Sequence, residues 1–364
     1  MNGHMTIETL NRRGSESKIE CRGLATDEKA LYLEFARRAW GTRSPQAEAS
    51  FLDWLYKENP YTLGINRDLL VLVGGDQILG AHHRMRVPWS INGERSIVPS
   101  LHDLCVLPGH RAGGGGRLVP PGLQLMLTAL EKENHVALFG LTPMADKIYE
   151  RMGIPVIRLF WMQKIRSLVR AGVQMAASRL GWSTGNFQLA TRRTFKLADY
   201  EVLRTGLPTS EELAEALTVK PSTKTYPDWD MDSFRWRFFH ELGPRNILFL
   251  ARSNGKLFGR AVVSLGLKNG VIVARIVNLV FEQSECLDAL SEGIEHTFSE
   301  MRVAVCLVVT DSQVVTQRFR EVGWDYRKET IGARWFTRKG EVRPQDFSIC
   351  GGAWDFGCDS RIGH

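Results

Sequence analysis

Two stretches of this chain, 170 residues apart, are spelled to one template. Tyr149-Glu150-Arg151-Met152-Gly153-Ile154 closes the first, and Phe319-Arg320-Glu321-Val322-Gly323-Trp324 closes the second. In each, an aromatic residue sits four positions before a glycine, and an aliphatic residue (Ala145, Val315) stands four positions before the aromatic. A small hydroxyl residue, Thr142 or Ser312, precedes the aromatic by seven. Self-similarity on this scale is far longer than a solenoid period and implies a duplicated domain. The copies differ where chemistry would notice: Tyr149 can donate a proton and Phe319 cannot.

A length of 364 residues is room for two or three domains. The apolar share, 43%, is ordinary for a soluble globular protein. No run of 18 apolar residues occurs, so no membrane span is expected. Residues 1–22 are polar and do not read as a secretion signal. Six cysteines are scattered without a Cys-x-x-Cys pair, and several lie in apolar runs. Buried reduced thiols are therefore expected rather than disulfides or a metal site, and the compartment is read as cytoplasmic.

The formal charge of +7 admits three readings. Nucleic-acid binding would mass the cations in one stripe, whereas here they are spread along the chain, so no nucleic-acid partner is expected. A merely basic soluble protein and a local site for an anionic ligand both remain. The segment Lys164–Arg193 holds six Lys or Arg and no acidic residue. Its apolar residues Ile165, Leu168, Val169, Val173, Met175, Ala176 and Leu180 have partial helical spacing. It reads as an inter-domain connector or as a basic amphipathic helix able to touch a membrane surface.

In the first copy, Leu31, Phe35 and Ala39 mark one helix, and 51–56 a second that ends before Asn59-Pro60. Residues 69–74, 78–87 and 100–106 read as strands, with turns at Gly74-Gly75-Asp76-Gln77 and Asn92-Gly93, giving an antiparallel meander. Then comes Pro108-Gly109-His110-Arg111-Ala112-Gly113-Gly114-Gly115-Gly116-Arg117, followed by the apolar-periodic helix around Leu123–Leu130. Glycines let a backbone approach a ligand and turn its N–H groups inward, and a following helix N-terminus favours an anion. Arg111 and Arg117 are placed to pair with phosphate oxygens. The alternative is a plain glycine-rich surface turn. Neither of two familiar nucleotide loops fits: no Lys-Ser/Thr follows the glycines, and no acidic residue lies about 20 positions on along a next strand.

Arg111-x-x-Gly114-x-Gly116 between a strand and a helix, then a strand at 136–140, then Ala145-x-x-x-Tyr149-x-x-x-Gly153, resembles the GNAT superfamily of acyl-CoA-dependent N-acyltransferases. More narrowly, Phe51–Pro60, Asp103 five residues before Pro108, and Arg235-Trp236-Arg237 resemble a tandem-GNAT group associated with bacterial surface-polysaccharide synthesis. The resemblance implies an α/β (α+β) fold of two tandem domains, each a mixed, mostly antiparallel central sheet flanked by helices. The implied division is 18–165 for a catalytic N-terminal domain, 166–193 for a basic linker, 194–345 for a degenerate C-terminal domain and 346–364 for a tail. It also implies that Leu104, Cys105 and Val106 hold the pantetheine arm. Arg111, Ala112, Gly113, Gly114, Gly115, Gly116 and Arg117 would hold the phosphates, and Tyr149 would protonate the departing thiolate. The co-substrate implied is acetyl-CoA or another acyl-CoA, with no metal.

Two features depart from the family. Pro120-Pro121 push the helix start to about Pro121 and lengthen the phosphate loop by about four residues, since proline is tolerated only at a helix's first turn. Thr142 also stands where asparagine is usual.

An amine attacks a thioester only as the free base, and an alkylammonium with a pKa of about 10 is almost wholly protonated at neutral pH. A base therefore helps the attack, and an acid near sulfur helps the leaving group. Asp103 is the candidate base, with a structural carboxylate as its alternative. Tyr149 is the candidate acid, with a packing aromatic as its alternative. His102 alternates to the other sheet face from Asp103, and His82 and His83 read as core histidines before substrate contacts.

The second copy begins near Thr194. It repeats the helix (230–239), a hairpin across Asn254-Gly255 and a strand (271–281) after Asn269-Gly270. Where the phosphate loop belongs it reads Glu282-Gln283-Ser284-Glu285, without glycine and with two carboxylates that would repel pyrophosphate. With Asn278 near the place of Asp103 and Phe319 for the tyrosine, this copy is expected to bind no coenzyme A. The expected function is acyl transfer from acyl-CoA to a small-molecule amine, an amino sugar of a glycan precursor foremost. N-acylation of an amino acid or peptide and non-catalytic acyl-CoA binding are the alternatives.

Overall fold

The computed structural model describes residues 19–42, 44–111, 119–180, 191–327, 332–338 and 347–349. The first stretch of elements runs β1 (Glu20–Gly23), α1 (Lys29–Trp40), α2 (Ala49–Tyr56), α3 (Ile65–Asp68), β2 (Leu69–Gly74), β3 (Gln77–Ile91), β4 (Glu94–Val106) and α4 (Pro121–Leu130). It continues through β5 (His135–Leu141), α5 (Pro143–Arg151), β6 (Val156–Arg158), β7 (Phe160–Ile165) and α6 (Leu168–Arg179). The second copy contributes β8 (Arg193–Leu197), β9 (Tyr200–Thr205), α7 (Ser210–Ala216), β10 (Thr225–Pro227), α8 (Met231–Phe239), β11 (Asn246–Ser253), β12 (Lys256–Lys268) and β13 (Val271–Phe281). Last come α9 (Ser284–Glu300), β14 (Val305–Thr310), α10 (Gln313–Glu321), β15 (Asp325–Arg327) and β16 (Gly332–Thr337). Among the described residues the strands form two mixed, mostly antiparallel sheets of eight strands each, flanked by helices, as expected.

Local chemistry accounts for the hairpins. Asn92-Gly93, Asn254-Gly255 and Asn269-Gly270 each place both residues at positive φ (53° and 88°, 49° and 77°, 53° and 78°). That is the backbone of a two-residue turn whose twist matches the strands it joins. Pro121 opens α4 at the position where a missing N–H costs nothing. Asp230 caps α8 by accepting from the Ser233 backbone N–H at 2.9 Å.

The chain divides into two compact units. The first comprises 1–49, 63–84 and 103–133, and the second comprises 50–62, 85–102 and 134–364. In the first unit, β1, β2 and the leading half of β3 form an antiparallel ladder with Arg22 opposite Val71 and Val71 opposite Ala81. α1 buries Tyr32, Phe35 and Ala36, while Leu31 is 40% exposed. The buried face is thus shifted by one residue from the predicted stripe, because the aromatic ring of Tyr32 with Phe35 outweighs the aliphatic Leu31.

In the second unit, β5 runs parallel to β4 at Ser100↔Ala137 and Leu101↔Leu138. β16 pairs antiparallel with β5 and β6. A complete sheet runs β15-β7-β14-β13-β12-β11-β9-β8. Its central strand β13 is mostly apolar, with Arg275 and Asn278 the exceptions, and buried throughout except at Phe281. β16, from the end of the second copy, lies between β5 and β6, and β7, from the end of the first, lies between β14 and β15. Each sheet therefore takes a strand that sequence order would assign to the other.

The Tyr149–Ile154 and Phe319–Trp324 sequence repeat is a structural repeat. Thr142 Oγ1 caps α5 by accepting from Ala145 N at 3.3 Å, and Ser312 Oγ caps α10 by accepting from Val315 N at 3.3 Å. Gly153 and Gly323 end the two helices at φ of 73° and 83°, and each helix closes with the same bond, Ile154 N to Tyr149 O or Trp324 N to Phe319 O. Glycine is required there because the left-handed conformation costs other residues about 1–2 kcal/mol.

Candidate functional site

The first unit gathers Asp103, Leu104, Cys105, Val106 and Arg111 at the exit of β4. Asp103 lies inside the strand yet adopts φ of 52°. A non-glycine residue in the left-handed region interrupts the pleat, re-aims the neighbouring side chains and persists only where its surroundings hold it. Here Gln46 Nε2 donates to Asp103 Oδ2 at 2.8 Å. On β3, a Cβ added at Gly80 would stand 3.0 Å from the carbonyl oxygen of Cys105, so the close approach of these two strands requires glycine.

Arg111 folds back on the strand. Its Nε donates to the Val106 carbonyl at 2.8 Å. Burial pushes the Cys105 thiol up, and the positive charge and hydrogen bond of Arg111 work against that rise. Arg111 is thereby tethered at the mouth of the glycine loop. Ala112, Gly113, Gly114, Gly115, Gly116 and Arg117 lie outside the described residues.

Beside Asp103 stands a buried polar pair that sequence reasoning did not join to it. The Tyr32 hydroxyl and His83 Nε2 are 2.6 Å apart. Tyr32 and His83 are both fully buried, and Trp40 sets its ring edge-on to the imidazole at 6.1 Å. Burial, and then the negative charges of Asp103 and Cys105, push the Tyr32 phenol well above its usual range. His83 is a satisfied core histidine, as expected. Tyr32 was hidden because the helical stripe was read through Leu31. His82 and His102 are also buried, at 3% and 5% exposure.

Tyr149 belongs to the second unit, on α5. Asp146 on the same helix pairs with Arg334 Nε of β16 at 2.7 Å, and Arg334 also donates to the Ile154 carbonyl at 2.5 Å. The exchanged strand thus anchors both ends of the helix. Tyr149 is 1% exposed, and so is Phe319. Packing explains the ring in both copies; only the hydroxyl of Tyr149 calls for another reason. Burial pushes that phenol well above its ordinary pKa, so it stays protonated and available as a donor.

The second copy fills the corresponding place with its own side chains. Asn278 lies three residues before the end of β13, as Asp103 lies three before the end of β4. Asn278 Oδ1 accepts from Arg260 Nε at 3.0 Å, and Arg260 Nη1 also donates to the Val219 carbonyl at 2.6 Å. Complete burial lowers the Arg260 guanidinium to about 10. Only Glu282 and Gln283 separate β13 from α9, and Glu282 pairs with Lys256 at 3.4 Å.

Other chemistry is accounted for locally. Among the described residues no group of three or more His, Cys, Asp or Glu is arranged to hold a metal ion. Cys286 and Cys306 are buried free thiols that burial pushes up to about 12. No described helix is long and apolar enough to cross a membrane.

No protein-family model and no curated protein matches the chain. Solved structures do. N-myristoyltransferase of Saccharomyces cerevisiae with bound myristoyl-CoA superposes with a TM-score of 0.58 at 12% identity, over 95% of this chain and 91% of that one. A GCN5-related N-acetyltransferase from Anabaena variabilis gives 0.56 at 10% identity, over 87% and 72%. One from Kribbella flavida gives 0.50 at 15% identity, over 87% and 71%. At these identities the likeness is one of fold.

Proposed function

The chain has the two-domain GNAT-like fold, and we propose that its first copy is an acyl-CoA-dependent N-acyltransferase. The observation that carries this reading is the left-handed Asp103 inside β4, directly ahead of the glycine loop. It interrupts the pleat where the resemblance puts the pantetheine arm, just past the Ser100↔Ala137 and Leu101↔Leu138 pairs that join β4 to β5. Coenzyme A would lie along Leu104, Cys105 and Val106 with its phosphates at Arg111–Arg117, and no metal takes part.

In the reaction, a neutral amine nitrogen attacks the thioester carbonyl and forms the C–N bond. The C–S bond breaks, and the thiolate takes the Tyr149 phenolic proton. Asp103, held by Gln46 and beside the Tyr32–His83 pair, accepts the amine's proton directly or through a water. The second copy binds no coenzyme A and shapes the acceptor's surroundings. The acceptor is a small-molecule amine, an amino sugar foremost, on the strength of the tandem-group resemblance.

The test is thiol release from acetyl-CoA and longer acyl-CoAs with a panel of amino sugars, amino acids and short peptides. Amine-dependent release with a matching N-acyl product supports the reading. Coenzyme A binding without transfer to any amine would replace it with a non-catalytic acyl-CoA-binding function.

A further inference from the structure

Helices α5 and α10 are copies of one helix, yet they are held differently. The spacing of 170 residues sets Leu138, Asp146 and Val156 against Val308, Thr316 and Tyr326. Strand registers give the same correspondence. Arg334 of β16 stands between Leu138 of β5 and Val156 of β6, and Met162 of β7 stands between Val308 of β14 and Tyr326 of β15. Arg334 and Met162 therefore occupy one position in the two copies. Beside Tyr149 that position is a guanidinium, 5% exposed. Its Nε donates to Asp146 Oδ1 at 2.7 Å, one turn before the tyrosine, and its Nη1 donates to the Ile154 carbonyl at 2.5 Å. Ile154 N in turn donates to the carbonyl of Tyr149 itself at 3.0 Å. Beside Phe319 both partners are gone. Met162 lies in the apolar core, and the Thr316 hydroxyl donates back to the Ser312 carbonyl at 2.8 Å.

We infer that Arg334 is a positioning residue for Tyr149, present where a proton donor must be aimed and absent where a ring need only pack. The inference rests on the reading of Tyr149 as the acid. Stability alone does not call for the ion pair, because apolar residues of similar volume commonly serve a buried site as well or better, and Met162 fills the same position in the second copy. What a planar guanidinium adds is direction: its donors point along fixed lines to a carboxylate and a carbonyl at once. Gripping α5 at Asp146 and at Ile154 fixes both its rotation and its shift along its axis, with Tyr149 between the two contacts. A catalytic group needs that kind of support, since it must be held within about 0.5 Å of its working geometry.

The double substitution Asp146→Thr, Arg334→Met installs the second copy's pair and leaves no charge unpaired, so the fold should persist. In the full chain it should keep the parent's coenzyme A affinity while turnover in amine-dependent thiol release falls about tenfold or more, the effect of a misplaced group. In a Tyr149→Phe background the same pair should cause no further loss, because the donor it aims is already gone. Parent turnover in the double variant, or an equal loss in the Tyr149→Phe background, would overturn the inference and leave Arg334 to packing. Tyr149→Phe alone tests the acid separately: turnover within about twofold of the parent would remove that reading, and the inference with it.

Discussion

Trp54 and Trp236 hydrogen-bond each other reciprocally: the indole N–H of Trp54 donates to the Trp236 carbonyl at 3.0 Å, and that of Trp236 donates to the Trp54 carbonyl at 2.7 Å. Their rings stack at 5.3 Å with 24° between planes. One stands on α2 of the first copy and the other on α8 of the second, so the duplication folds into a pair of equivalent contacts. Both rings are buried, and each removes a backbone carbonyl from the list of unmet acceptors.

Replacing either ring by phenylalanine leaves a buried carbonyl without its donor, a loss of about 1–3 kcal/mol. Trp54→Phe and Trp236→Phe should therefore lower stability by similar amounts in denaturant titration. The double variant should fall short of the sum, because the two sites share one contact. A change under about 0.5 kcal/mol, typical of an indifferent surface position, would show the pair to be incidental.

Asp103 has a backbone role and a carboxylate role, and two substitutions separate them. Asp103→Asn tolerates the left-handed conformation, so the fold should persist while the rate of acyl transfer falls by about 10² or more, the contribution of a positioned base. Asp103→Val adds the strain of a β-branched residue at positive φ, about 1–3 kcal/mol, and should destabilise the protein as well. Full activity in Asp103→Asn would leave the carboxylate with Gln46 as a structural pair.

Much of this was legible beforehand, and the misses have physical causes. The two helix-ending repeats, the Asn-Gly hairpins and the late start of α4 at Pro121 are local, and local chemistry sits in the sequence. The exchange of β7 and β16 is not local. Both strands are six residues long, with nothing in their own pattern to say which sheet they join. The left-handed backbone at Asp103 was invisible because such a kink depends on the surrounding structure that holds it rather than on the residues that make it. Helix α6 misled in a different way: its apolar spacing was read correctly as helical, but periodicity does not say which side faces inward. The burial of Gln174 decides that.

Tyr149→Phe reproduces the residue that the second copy already carries at an equally buried position, so folding should be unaffected. Turnover should fall by about 10²-fold or more while coenzyme A affinity holds. The thiol is a fair leaving group with a pKa near 8.5, which sets a smaller loss than an alkoxide would show. Turnover within about twofold of the parent, far short of a general-acid contribution, would return Tyr149 to packing.

Asp311, directly after β14, is half-buried and accepts from Ile349 N at 2.9 Å. Burial raises its carboxyl to about 7. An unfolded aspartate titrates near 3.9, so between these values the folded chain binds the extra proton. Stability contributed by this group is then full below about pH 4 and is lost as pH rises through about 7. Asp311→Asn should flatten that part of the stability–pH curve. An unchanged slope would mean the carboxyl titrates normally.

The central claim is that one copy holds coenzyme A and the other does not, and calorimetric titration of the full chain with coenzyme A tests it most directly. The account predicts one site per chain, with affinity strongly reduced in Arg111→Glu, where a carboxylate would face the pyrophosphate. Two sites per chain, or an affinity that Arg111→Glu leaves unchanged, would contradict it.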